Sequence, residues 1–157
     1  MSPCEALLIW RIDDGRNLVY GTDSGIYVSK RMPKEGGFAT PEKVIKVNKV
    51  NQIDVLEEFS MLLLLAGKTL MSVPVEDLDS EGTALADKRP KRFLGHTNFF
   101  KAGVCQDRVL VCCVESSWLS STVKVYEPLD TLARGKERPS FGKPPQGGHD
   151  TLKAFKV

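Results

Sequence analysis

The sequence predicts an all-β fold that forms part of a β-propeller, and three observations lead to this prediction. Short β-favouring runs alternate with Gly-, Pro-, Asp- and Ser-containing turns along most of the 157 residues. No stretch of about 12 residues shows the period of an amphipathic helix. The pattern also restarts, because the strands after the main turns begin at Ile26, Leu70 and Val123, which are 44 and 53 positions apart. Four-stranded units of about 40 to 50 residues are typical of propeller blades, whereas the alternative, a sandwich or barrel, lacks this restart.

The first unit is expected over residues 4–47 and contains four short strands. A strand at residues 6–12 precedes a tight hairpin at residues 18–28, in which Thr-Asp-Ser-Gly forms the turn. Gly25 can adopt a positive φ there without steric cost. Residues 42–47 supply the fourth strand.

The second unit is expected over residues 51–79. Residues 61–66 form an unbroken apolar run, which predicts a strand covered on both faces. Gly67 and Lys68 form a two-residue turn with glycine first. The strand that follows should place three side chains on one face by its period of two: Met71, Val73 and Val75. Pro74 places this strand near an edge or at its end, and residues 76–79 are expected to form a short helical turn.

The third unit is expected over residues 97–157, with strands at residues 99–105, 109–114 and 122–126 and a final strand at the end of the chain. Polar loops are expected at residues 80–96 and 131–150. About three blades cannot close a propeller, which needs roughly four to eight. The sequence therefore predicts an incomplete piece of a larger domain, completed by a second segment or a second chain.

Composition excludes several classes of function. The net charge is only +2, so the chain lacks the basic excess of a dedicated nucleic-acid binder. Its longest apolar run is far shorter than the roughly 20 residues that span a bilayer. The four cysteines have no CxxC spacing and no signal peptide precedes them, which indicates reduced thiols in the cytoplasm.

No catalytic or cofactor-binding constellation is evident in the sequence. Gly67-Lys68-Thr69 resembles the end of a phosphate-binding loop, but Leu62 stands where that loop needs a glycine. His96 and His149 are the only histidines, and both lie in loops. A metal site that combines His96 with Cys105, Cys112 or Cys113 would need ligands from separate strands. We therefore expect no cofactor and no metal.

A propeller enzyme remains an alternative that would need converging carboxylates or histidines near the inner strands. Three aspartates near strand ends are the candidates: Asp23, Asp54 and Asp107. We expect instead a protein without enzymatic activity.

Two features are candidates for binding. The cluster Lys88-Arg89-Pro90-Lys91-Arg92 could dock an acidic partner, a phosphoinositide headgroup or an import receptor, with Arg89, Lys91 and Arg92 as its cations. The simpler interpretation is a solvated linker. Trp118, at the tip of the 116–121 hairpin, could anchor an interface, or it could pack on a neighbouring blade.

Three segments carry a resemblance to a known family. LVYGTDSGIYV at residues 18–28, VNQIDVLEEFSMLLLLAGKTLMSVPV at residues 50–75, and GHTNFFKAGVCQDRVLVCCVESSWLSSTVKVYEP at residues 95–128 resemble the citron homology domain. The likeness is to the version found at the C-terminus of fungal Rho-type guanine-nucleotide exchange factors. WD-type repeats fit less well, because Gly95-His96 has no accompanying Trp-Asp.

The resemblance implies a seven-bladed propeller of about twice this length, in a cytoplasmic signalling protein that acts on a Rho-family GTPase in cell-wall synthesis and polarity. It implies that nucleotide exchange belongs to a separate helical domain and that membranes are handled by a pleckstrin-type domain beside it. The citron module itself would be a scaffold that binds the GTPase, recruited to the cell cortex. No functional residue transfers from the family to this sequence.

Overall fold

The computed structural model describes residues 4–12, 15–32, 36–79, 90–129 and 140–141, and nearly all of them lie in antiparallel sheets or in the turns between strands. The first sheet contains four strands in sequential order: β1 (Cys4–Ile12), β2 (Gly15–Thr22), β3 (Gly25–Ser29) and β4 (Glu42–Ile45). The all-β prediction is confirmed.

The second sheet repeats this order with four further strands: β5 (Val50–Leu56), β6 (Met61–Ala66), β7 (Thr69–Pro74) and β8 (Lys91–Leu94). A 3₁₀ turn (Glu57–Phe59) joins β5 to β6, and a short helix, α1 (Glu76–Asp79), follows β7, as the sequence predicted. Pro74 is the last residue of β7 and lies beyond the part of β7 that pairs with β8. A proline there removes no ladder hydrogen bond.

The third sheet has three strands: β9 (Thr97–Cys105), β10 (Arg108–Ser116) and β11 (Ser121–Tyr126). A separate two-stranded ribbon joins β12 (Pro128–Leu129) to β13 (Ser140–Phe141). The expected terminal strand at residues 152–157 lies outside the described residues.

The loop expected at residues 80–96 needs a correction, because residues 91–94 form β8, the fourth strand of the second sheet. Two adjacent cations, Lys91 and Arg92, break the apolar alternation that would have indicated a strand. Charged side chains are suited to this position, since β8 is an edge strand and charge discourages pairing with another chain.

The hydrophobic core lies between sheets, in two layers. β6 contributes to both, because Leu62 and Leu64 face the first sheet while Leu63 and Leu65 face the third. Every residue of β6 is buried, which confirms the prediction of a strand covered on both faces. The predicted face of β7 is also correct, since Val73 and Val75 lie in the layer toward the first sheet and Met71 packs against it.

Polar contacts connect the first strands of the second and third sheets. The side-chain amide of Gln52 in β5 donates to the carbonyl of Phe100 in β9, and its Oε1 accepts a hydrogen bond from the Phe100 N–H at 3.2 Å. Close by on the same two strands, Lys101 Nζ lies 3.2 Å from Asp54 Oδ2. The side chain of Gln52 thus bonds to β9 in the way a neighbouring strand would, although β5 and β9 belong to different sheets.

An aromatic pair connects the outer strands of the same two sheets. Phe93 in β8 and Tyr126 in β11 meet edge to face, with ring centroids 4.9 Å apart. This geometry is one that aromatic pairs prefer, and it gains stability beyond simple area burial. The second and third sheets are therefore held at both their inner and outer edges.

Candidate interaction surface

The hairpin turns and the links between sheets lie at one end of the sheets. We call this the hairpin end and define it by residues 23–24, 46–49, 67–68, 95–98 and 117–120. Backbone hydrogen bonds join its parts: Lys49 N–H donates to the Asp23 carbonyl (3.0 Å), Gly67 N–H to the Lys49 carbonyl (2.8 Å), and Thr97 N–H to the Lys68 carbonyl (2.9 Å). These bonds connect the turn of the first sheet, through the second sheet, to the start of the third, and residues 117–120 lie at the same end of the third sheet.

The first turn at this end is fixed by Thr22. Its Oγ1 accepts hydrogen bonds from the N–H groups of Ser24 and Gly25, each at 3.2 Å, and donates to the Gly25 carbonyl at 3.0 Å. Gly25 adopts φ +149°, and a Cβ there would lie 2.2 Å from the Ile45 carbonyl oxygen. The expectation of a positive φ at Gly25 is confirmed, and close approach of β4 adds a second reason for glycine.

The last turn at this end presents two apolar side chains to solvent. Trp118 is 90% exposed and Leu119 is 74% exposed, the largest exposures among the described large hydrophobic residues. Ser117 organises the turn: its N–H donates to the Ser120 carbonyl at 2.8 Å, and its Oγ accepts from the N–H groups of Ser120 (3.2 Å) and Leu119 (3.4 Å). Trp118 therefore lies at the tip of the hairpin, as the sequence predicted, and makes no close packing against the second sheet.

Charge differs between the two ends of the sheets. In the described turns and links of the hairpin end, exposed Lys46, Lys49 and Lys68 outnumber the single acid, Asp23. At the opposite end, the acidic residues of the described part outnumber the basic ones, which are Lys30, Arg31 and Arg108. These acids are Glu57, Glu58, Glu76, Asp77, Asp107 and Glu127. Arg108 there holds Glu127 through an Nε–Oε1 hydrogen bond of 2.7 Å, which lowers the pKa of that carboxyl group.

The binding residues predicted from the sequence do not form one patch. Lys91 and Arg92 are exposed on β8, along the outer edge of the second sheet, opposite Ser72 and Met71 of β7. Trp118 lies at the hairpin end of the third sheet. Arg89 lies outside the described residues. The sequence missed the lysines of the hairpin end, because they are separated along the chain and only the fold brings their turns to the same end.

The candidate catalytic residues are dispersed. Asp23 lies at the hairpin end, Asp107 occupies the turn at the opposite end, and Asp54 pairs with Lys101 in the interior of a strand. His96 is exposed in the link before β9, where its φ is +59°. His149 lies outside the described residues. Within the described part of the chain, no three His, Cys, Asp or Glu side chains cluster in a way that could hold a metal ion.

The residues that resemble a phosphate-binding loop form a hairpin instead. Gly67 and Lys68 occupy the two-residue turn between β6 and β7, and Gly67 has φ +60°. Because strands flank the turn on both sides, it has no helix N-terminus on which a phosphate could bind.

The two adjacent cysteines point to opposite faces of β10, as expected for neighbours in a strand. Cys113 is fully buried in the layer against the second sheet, and burial raises the pKa of its thiol to about 12. Cys112 is half-buried on the other face, and Cys105 is exposed. All three are free thiols.

The face of the third sheet that points away from the second sheet is apolar and partly exposed. Phe99, Val114 and Val123 lie side by side across its three strands, and Leu110 and Cys112 continue the face along β10. Phe99 is 50% exposed and Val123 is 44% exposed. β10 is thus apolar on both faces, like β6, but the described residues cover only one of them.

Successive antiparallel sheets, with hydrophobic layers between them and turns at both ends, define a propeller-like domain. The described residues contain no helix long and apolar enough to cross a bilayer. The family model of the CNH domain matches residues 14–156. The chain therefore belongs to the CNH (citron homology) domain family, as the sequence resemblance indicated.

Two curated relatives are fungal exchange factors. The chain is 41% identical over 144 residues to Rho1 guanine nucleotide exchange factor 1 of Schizosaccharomyces pombe, which covers 92% of this chain and 11% of the relative. It is 34% identical over 126 residues to RHO1 GDP-GTP exchange protein 2 of Saccharomyces cerevisiae, covering 73% of this chain and 9% of the relative. The chain thus spans about a tenth of the length of these relatives.

The chain is also similar to a solved structure, the AfRom2 CNH domain. The two share 48% sequence identity and superpose with a TM-score of 0.69. The match covers 89% of this chain and 42% of the solved chain. This similarity supports the propeller-like assignment at the level of three-dimensional structure.

Proposed function

We propose that this chain is part of a non-catalytic scaffold module of a Rho guanine-nucleotide exchange factor and that the module binds a Rho-family GTPase. The observation that carries the proposal is the 41% identity to a Rho1 exchange factor across 92% of the chain. The dispersed positions of Asp23, Asp54, Asp107 and His96 agree with a binding role, because catalysis would need such groups to converge on a reacting atom.

In this proposal, the exchange reaction belongs to a different domain of the longer protein. The module acts in the cytoplasm, is recruited to the cell cortex, and serves cell-wall integrity and polarity signalling. Its contribution is to hold the GTPase near the catalytic domain, which raises the effective concentration of the substrate.

The direct test is retention of a purified Rho GTPase by an immobilised longer protein that contains the whole domain, measured separately with GDP and with a non-hydrolysable GTP analogue. A Ras-type GTPase of similar size serves as the control. Retention of the Rho protein above this control supports the proposal, and equal retention of both contradicts it. Charge reversal at Lys91 and Arg92, compared with Trp118→Ala, then reports which of the two exposed regions contacts the GTPase.

We also propose that the exposed face of the third sheet is covered by a further sheet of the same fold, carried by another segment or another chain. The support is the row Phe99–Val114–Val123, which matches in character the buried layers on either side of β6. A strand that is apolar on both faces is typical of a position between two layers.

The test is Phe99→Glu, placed both in this chain and in a longer protein that contains the whole domain. We expect little loss of stability in the chain alone, where Phe99 is half exposed, and a loss of about 2 to 4 kcal/mol in the longer protein, where a charge would be buried. Equal effects in the two proteins would contradict the proposal.

A further inference from the structure

We propose that the hairpin end is a membrane-docking surface that binds an anionic lipid bilayer, with Trp118 and Leu119 entering the interface and Lys46, Lys49 and Lys68 contacting the headgroups. This inference goes beyond the proposed function and does not depend on it. It rests on the position, hydrogen bonding and charge of residues at one end of the sheets.

The last turn of the hairpin end is apolar at its tip. Trp118 and Leu119 are adjacent at the outermost point of a hairpin and are exposed to 90% and 74%. They lie in the four-residue connection between β10 and β11. Tryptophan favours the boundary between water and lipid, because its ring is apolar while its indole N–H can hydrogen-bond to headgroups. A projecting Trp-Leu pair suits a fluid interface, which needs no preformed pocket to receive it.

The backbone of this turn is largely hydrogen-bonded within the turn itself. Inserting a turn into a bilayer interface is costly when its peptide groups lose water without gaining partners. Here the N–H groups of Ser117, Leu119 and Ser120 and the carbonyl of Ser120 already have partners within the turn. The hydroxyls of Ser116 and Ser121 lie 2.9 Å apart at its base. These bonds lower the cost of moving the tip out of water, because three of its N–H groups keep their partners.

The hairpin end also carries positive charge. Lys46, Lys49 and Lys68 come from two links and turns that the backbone hydrogen bonds at Lys49, Gly67 and Thr97 join to the third sheet. The opposite end of the described sheets is acidic. Among the described residues, a negatively charged surface would attract the hairpin end more strongly than the opposite end, which favours approach with the Trp118 tip toward the lipid.

An acidic protein surface is the competing partner for these lysines. The observations favour a bilayer, because a protein would have to offer a cavity for the solitary Trp-Leu tip beside its acidic groups. The two possibilities predict different results, since only a bilayer would shield Trp118 by contact with acyl chains.

The test uses a longer protein that contains the whole domain, co-sedimented with vesicles of phosphatidylcholine alone and with vesicles of equal parts phosphatidylcholine and phosphatidylserine. We expect binding to the mixed vesicles and a steep fall in binding as salt is added. The double variant K46A/K68A should weaken binding about 25-fold, because each lysine near an anionic surface contributes about five-fold. The matched control K91A/R92A removes the same charge from the outer edge of β8 and should change binding less than about two-fold.

The apolar tip is tested by Trp118→Ala, which should weaken binding about ten-fold or more, since a half-inserted tryptophan removes on the order of 100 Å² of apolar surface from water. Val104→Ala is the matched control, because Val104 is 68% exposed at the opposite end of β9. Quenching of tryptophan fluorescence by brominated lipid gives a readout that a purely electrostatic contact would not produce. The quenching is compared between wild type and Trp118→Ala, so the difference between the two reports Trp118 alone.

Four results would overturn the proposal. The first is no binding to the mixed vesicles at low salt, and the second is unchanged vesicle binding in Trp118→Ala. The third is a greater loss of vesicle binding in K91A/R92A than in K46A/K68A. The fourth is capture of the protein by poly-glutamate without vesicle binding. The third result would move the lipid site to the outer edge of the second sheet, and the fourth would assign the lysines to an acidic protein.

Discussion

Replacing Gly25 by alanine should destabilise the chain severely, and the structure separates two reasons. The first is conformational: φ is +149°, a region that L side chains rarely adopt, at a cost of about 1 to 3 kcal/mol. The second is steric: the new Cβ would lie 2.2 Å from the Ile45 carbonyl oxygen. Because carbon and oxygen normally stay about 3.3 Å apart, β4 would have to move by about 1 Å and lose ladder hydrogen bonds with β3.

We therefore expect Gly25→Ala to lower the free energy of unfolding by about 3 to 4 kcal/mol, which is near the exceptional range for a single substitution. The measurement is urea denaturation followed by circular dichroism, with the midpoint and slope fitted together. A change in the slope would indicate that the mutant also alters the compactness of one of the two states.

Two other glycines provide matched controls. Gly67 has φ +60°, but an added Cβ would meet nothing within 4 Å, so Gly67→Ala should show the conformational cost alone, about 1 to 2 kcal/mol. Gly103 has neither a positive φ nor a close neighbour, so Gly103→Ala should be neutral or stabilise by about 0.5 kcal/mol. If Gly25→Ala cost no more than Gly67→Ala, the close approach of β4 would play no part and the steric explanation would be wrong.

Further predictions concern the contacts between sheets and the free thiols. Gln52→Ala should lower the free energy of unfolding by about 2 to 3 kcal/mol in urea denaturation, because the N–H and carbonyl of Phe100 lose their side-chain partners; an effect below about 0.5 kcal/mol would show that water replaces the amide. Leu63→Ala and Leu64→Ala should each cost about 3 to 4 kcal/mol, since both side chains are fully buried in different layers; a much smaller cost at Leu63 would indicate that the third sheet is loosely held. Cys113 has a pKa raised to about 12 from a usual value of 9.0, so the unfolded thiol ionises first and stability should fall as pH rises from about 9 toward 12. A Cys113→Ala variant should lose that part of the pH dependence, and iodoacetamide followed by mass spectrometry should label Cys105 well before Cys113.

The sequence predicted those features that depend on local pattern. Residues 61–66 contain no polar side chain, so a strand covered on both faces was the simplest interpretation, and the period of β7 then placed Val73 and Val75 correctly. Gly25 and Gly67 indicated turns because glycine adopts a positive φ without steric cost, and the chain does reverse within two residues at each. In each case the physical cause lies within a few residues of the signal.

Features that depend on distant partners were not predictable. Gln52 looks like an ordinary polar residue of an alternating strand, and its role depends on Phe100, 48 residues away. The strand β8 was not predicted, because Lys91 and Arg92 interrupt the apolar pattern. An edge strand tolerates such charges, whereas a central strand does not. The lysines of the hairpin end became a group only when the backbone bonds at Lys49 and Thr97 showed which turns share an end.

The double hydrogen bond between Gln52 and Phe100 also limits how the second and third sheets can move past each other. Along a strand, the N–H and carbonyl groups of successive residues point to alternate sides. If β9 slid by one residue, the amide of Gln52 would meet a stretch of backbone whose polar groups face the other way. Any sliding between these sheets must therefore occur in steps of two residues or not at all. Gln52 thereby adds a directional constraint on the register of these two sheets to the ion pair at Lys101 and the aromatic pair at Phe93.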